Sequence, residues 1–189
     1  MILNLSQDGK FVTVSAFKAP TSIDPSTALR DLRMAIPHVE VQFFDGTRVA
    51  GRQHLEIAAI NALRAFKAGT NISRSLAMET LLYASAQRQI DLAINMLGVT
   101  RDSRTVGFVA FSESRDDAEA LKDRIAQFMS ADLDAALLDD WSRDKARTIM
   151  ALYEIGAVEL EAIVMPGQEI KEAISKAVVE RVALLSTRT

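Results

Sequence analysis

The stretch VGFVAFS, Val106 to Ser112, carries apolar side chains at even and odd positions alike. Side chains in a strand alternate between two faces, so a run of this kind needs cover on both. A chain that contains it must place a layer on each side of a sheet. Two further segments read as strands. Phe11 to Phe17 sets Val12, Val14 and Ala16 against Thr13 and Ser15, and Val39, Val41 and Phe43 alternate with Glu40 and Gln42 before the Asp45-Gly46 turn.

The rest of the chain has helical spacing. Asp24-Pro25 opens a helix whose face is Ala28, Leu29, Leu32 and Ile36, and Pro37 stops it. Leu55, Ala58, Ala59, Ala62, Leu63 and Phe66 share a face between Gly51 and Ala68, with Gly69 as terminator. Ser73 is placed to cap the next helix, which runs to about Ala86. A further turn from Gln87 carries Ile90, Ala93, Ile94 and Leu97 to Gly98, and the pattern leaves open whether 74–97 is one helix or two. Ser114-Arg115-Asp116-Asp117 resembles a capping box before Ala118, Leu121, Ile125 and Phe128. An acidic region, 132–144, leads into a helix around Lys145 to Tyr153. Pro166 opens a final helix with Ile170, Ala173, Ile174, Ala177, Val178 and Leu185 in register. This order predicts an α+β (mixed α/β) fold, a small central sheet of few strands packed with about seven or eight helices. With 189 residues, and neither a repeat nor a composition shift, one domain over 1–189 is expected.

Catalytic signatures are scarce. No cysteine is present, which excludes disulfides, thiolate zinc sites and a thiol nucleophile, and suits a reducing, cytoplasmic setting. The start, MILNLSQDGK, is not expected to be a signal peptide, and no apolar run approaches the length of a membrane span. His38 and His54 lack a second histidine at i+4, so a structural or surface role is expected of each, with no metal and no cofactor. Walker, dinucleotide, zincin and nucleophile-elbow motifs are missing. Asp139-Asp140 lies in an acidic run and reads as a solvated helix start.

Charge is unevenly distributed. Between Arg48 and Arg104 eight basic residues face four acidic ones, although the whole chain carries −3. A basic middle in an acidic chain suits a local anion site and not a general nucleic-acid coat. The Gly69 to Ser73 loop before a helix offers backbone N–H groups of the kind that hold phosphate, a weak signal alone. Lys67, Asn71, Arg74, Arg88 and Gln89 form a basic, amide-rich set suited to phosphates and exposed base edges. Against this, Arg88 taken alone reads better as a cap on a neighbouring helix C-terminus or as a partner of Glu79 or Asp91.

The segment HLEIAAINALRAFKAGTNISRSLAMETLLYASAQRQIDLAINMLGV, His54 to Val99, resembles the small accessory subunit of the KEOPS complex, the family of the p53-related-protein-kinase-binding protein. The resemblance rests on the paired alanines, the Asn-Ile turn, the Glu-x-Leu-Leu-Tyr-x-Ser segment and the Arg-Gln-Ile-x-x-Ala-Ile ending. One departure is Ala86, where many members are expected to carry Gly; alanine fits there if the backbone is helical. The resemblance implies a non-catalytic subunit of the threonylcarbamoyladenosine tRNA-modification complex. Such a subunit docks on and regulates the atypical kinase/ATPase of the complex and grips the single-stranded 3′ CCA end of tRNA. It implies that Lys67, Asn71, Ile72, Arg74, Arg88 and Gln89 serve that tail. In the last helix Val179 and Val182 widen the apolar arc beyond one stripe, and the resemblance implies that Ile174, Val178 and Val182 meet the kinase. Two alternatives remain open: a protein-binding regulator whose basic middle is ordinary surface, and a small-molecule enzyme.

Overall fold

Strand β4, Thr105–Ser112, is buried along nearly its whole length and lies inside the sheet. The structure, a computed structural model, describes residues 2–5, 9–21, 23–36, 39–165 and 167–187. Strands β1 (Ile2–Leu5), β2 (Lys10–Lys18) and β3 (Glu40–Asp45) join β4 in the order β1-β2-β4-β3, every neighbour antiparallel. Val106, Phe108 and Ala110 face one side, with Phe17, Val41 and Phe43, under helices α1 (Pro25–Ala35) and α5 (Arg115–Met129). Phe17 and Phe43 meet edge to face at 5.6 Å. Val109 and Phe111 face the other side, with Val12, Val14, Ala16 and Phe44. That side is covered by α2 (Arg52–Ala68), α3 (Leu76–Ser85), α4 (Ile90–Leu97), α6 (Arg143–Leu152), α7 (Ala157–Ile163) and α8 (Ile170–Leu184). The α+β expectation therefore holds.

Gly107 lets the layer above it lie close to the sheet. A Cβ there would stand 2.8 Å from the Leu138 side chain, which comes from a 3-10 turn, Ala135–Leu138, laid across the sheet.

Several local expectations need correction. Ser73 does not cap α3; Ser75 does, accepting from the Met78 N–H. Phe128 is exposed, and Met129 takes the buried position because α5 continues its face by a step of four. Gln42 is buried, since α1 reaches over β3 and Arg33 donates to Val41 O and Gln42 Oε1. Residues 74–97 form two helices, broken at Ala86. Pro37, His38 and Pro166 lie outside the described residues.

The three residues expected to face a partner are core residues. Ile174, Val178 and Val182 are each 0% exposed. The apolar arc of α8 is wide because α2, α3, α6 and α7 of the same chain all pack against this helix.

His54 fastens this helical layer. Its Nδ1 accepts from the Ala50 N–H at 3.1 Å, which places the proton on Nε2, and Nε2 donates to Ala84 O at 2.8 Å. The Tyr153 hydroxyl donates to the same carbonyl at 2.7 Å. One carbonyl in the last turn of α3 thus ties α2 to the end of α6. Burial lowers the His54 pKa to about 4, with the Ala84 carbonyl opposing and Lys145 adding to the depression. The unfolded chain binds a proton below about pH 6.5 while the folded ring stays neutral, so stability is lost as pH falls from 6.5 towards 4. Between pH 7.5 and 4.5 this group should cost about 2.5 kcal/mol. Urea unfolding at both pH values should show the wild type losing that much more stability than His54→Gln.

Candidate nucleic-acid interface

The segment between α2 and α3 is a turn held by carboxylates. Helix α2 ends at Gly69, whose φ of 66° suits glycine, with Thr70 N–H bonded back to Ala65 O. Beyond it, the Ile72 and Ser73 N–H groups both donate to Glu79, the Ser73 bond at 2.7 Å. Glu79 is wholly buried, and a buried carboxylate needs such donors. Asn71 Nδ2 donates to Ser73 O at 2.8 Å, so its amide closes the turn internally. Glu40, from β3, accepts from Ser75 Oγ and from the Ala77 N–H, both at 2.9 Å.

These bonds overturn the expected phosphate cradle. The N–H groups of Ile72, Ser73, Ser75, Ala77 and Met78 are already taken by Glu79, Ser73 Oγ, Glu40 and Ser75 Oγ. The start of α3 is neutralised from within. What the turn offers outward is side chains: Arg74 is exposed and Ile72 is 38% exposed, while Lys67 is exposed in the last turn of α2.

The segment Gln87-Arg88-Gln89 lies where the two helices break. Ala86 adopts a left-handed φ of 53°, with Ala86 N–H on Tyr83 O and Gln87 N–H on Leu82 O. The alanine departure is therefore seated where glycine is favoured, not in a right-handed helix as its tolerance assumed. Arg88 and Gln89 occupy the linker before α4 and are exposed. Burial raises the pKa of Tyr83; Glu79 adds to the rise and Arg88 opposes it, so both charges lie near that ring. Tyr83 stands one helical turn beyond Glu79. The 71–74 turn precedes α3 and Arg88 follows it, so the two stand at opposite ends of that helix. Ile90, Leu92 and Ile94 of α4 add exposed apolar surface beside the linker.

Sequence reasoning missed Glu79 and Glu40. The available signal was a lone acid, Glu79, in the first turn of the apolar run Leu76 to Leu82. Among the described residues there is no group of three or more acids and histidines able to hold a metal, and no helix long and apolar enough to cross a membrane.

A family model described as kinase binding protein CGI-121 matches residues 22–186. No curated protein matches the chain.

The turn should depend on Glu79. Glu79→Gln keeps the shape but exchanges a charged acceptor for a neutral one, and should cost about 1–3 kcal/mol in urea unfolding. Hydrogen exchange should show the Ile72 and Ser73 amides losing protection first.

Proposed function

The chain belongs to the family of kinase binding protein CGI-121, and we propose that it is the non-catalytic KEOPS subunit that regulates the small kinase/ATPase of that complex and recruits tRNA by its 3′ CCA end. The carrying observation is the family match over 22–186, which embraces every residue of the candidate interface. Side-chain geometry supports the reading. A single strand is recognised by cations along its backbone and apolar or planar surface under its bases. Lys67, Arg74 and Arg88 supply the first; Ile72, with Gln89 for base edges, supplies the second. Asn71 contributes by shaping the turn. Since the Ile72, Ser73, Ser75, Ala77 and Met78 N–H groups are occupied, recognition falls mainly to side chains.

Kinase docking belongs to outward surface. Ile174, Val178 and Val182 support it only indirectly, by holding α8 in place. On the outer side of this region Ile170 is 60% exposed, Leu184 52% and Val158, from α7, 82%. Ile170 and Leu184 stand at the two ends of α8, and large apolar groups left to water there offer a partner its first contacts. The competing reading, a kinase regulator without tRNA contact, differs only in what the basic turn does.

Two measurements test this. Ile170→Glu and Leu184→Glu should weaken co-purification with the kinase at unchanged thermal stability, whereas Val178→Glu should unfold the chain. Arg74→Glu and Arg88→Glu should each lower tRNA affinity about ten-fold with melting unchanged. Removing the CCA nucleotides should cost more than altering the anticodon stem; equal binding of intact and CCA-less tRNA by the wild type leaves only the regulator reading.

A further inference from the structure

A second site lies away from the basic turn, at the start of α6. A cavity of about 260 Å³ opens there between the sheet end and the acidic segment, lined by Lys18, Thr105, Asp140, Trp141, Ser142 and Lys145 among others. Lys145 is the unusual member. Lysine is rarely buried, yet this one is 7% exposed. Its Nζ donates to Leu138 O at 2.7 Å and stands 5.4 Å from the centre of the Trp141 ring. The carbonyl and the indole face hold the amine at the cavity wall.

We propose that Lys145 is a nucleophilic amine, the preferred acylation site of this protein for activated acyl donors small enough to enter the cavity.

The charged groups around Nζ come from each element packed on it. Burial lowers its pKa to about 8 and Lys18, from β2, lowers it further, against Asp139 and Asp140 in the preceding segment and Asp45 at the end of β3. At pH 7.5 about a quarter of the amine is uncharged, against about one part in a thousand for an ordinary lysine. Reactive lysines arise by this combination of desolvation and a neighbouring cation. In the step itself, uncharged Nζ adds to the carbonyl carbon of an acyl phosphate. The C–N bond forms, the C–O bond to phosphate breaks, and phosphate leaves with the electron pair. The proton shed by nitrogen passes to water in the cavity. The product is a neutral amide, and the buried charge is gone.

The test uses the intact wild-type protein and acetyl phosphate at pH 7.5, with initial acetylation rates at all seven lysines measured by mass spectrometry. Lower basicity offsets part of the gain in free amine, so Lys145 should react at least about five-fold faster than Lys18, Lys171 or Lys176. At pH 9.5, where the other amines also deprotonate, that advantage should shrink. Emission from Trp141, the sole tryptophan, should change with the half-time of Lys145 modification. A rate at Lys145 no greater than at the exposed lysines, or an advantage independent of pH, would overturn the proposal.

Discussion

Everything in this molecule follows from a strand with no water-facing side. Once Val106, Phe108 and Ala110 are buried under α1 and α5, Val109 and Phe111 still need cover. One layer of helices cannot supply both. Among the described residues, the chain answers with two light helices on one face and six on the other. The heavier layer cannot be held by apolar contact alone, because most of its helices are short. It is held by directed bonds: His54 and Tyr153 on one carbonyl, Lys145 on another, Glu40 and Glu79 on the amides that open α3. Buried polar groups of this kind are costly unless satisfied, and their satisfaction selects one arrangement of helices among many of similar apolar area.

The same bonds decide what the basic region can do. A helix start preceded by Gly, Asn and Ser reads as an anion site on sequence grounds. Two carboxylates occupy it instead. Their cost is recovered as rigidity, since the turn that carries Ile72 and Arg74 is fixed to α3 at its base. What the turn presents outward is mainly side chain and not backbone.

Much of the fold could be read from residue pattern. The long helices α2, α5 and α8 and the strands β2 and β4 each carry several repeats of their period, so packing and pattern agree. Elements shorter than that were not legible: β1, α7 and the 3-10 turn have four, seven and four residues. The break at Ala86 was ambiguous because a left-handed residue leaves no mark on hydrophobic spacing, and alanine gives no hint of it. The candidate site was half legible. Exposed Lys67, Arg74, Arg88 and Gln89 could be found by composition. Of their anchors, Glu79 left a faint local mark as a lone acid in an apolar run, whereas Glu40 is distant in sequence and such pairing leaves no local signal. The apolar arc of α8 misled for a related reason. A helix surrounded by its own chain shows the same excess of valine and isoleucine as one awaiting a partner.

The internally neutralised start of α3 has a consequence for salt. A single strand gripped by helix amides keeps part of its affinity at high ionic strength, because those dipoles release no bound ions. On the proposed function, a strand held mainly by Lys67, Arg74 and Arg88 displaces about two counterions, and its affinity falls about twenty-fold between 50 and 200 mM salt. A hold of that kind is loose and fast. On the proposed function, such a subunit catches a strand and lets it go, and commitment comes from whatever else touches that strand.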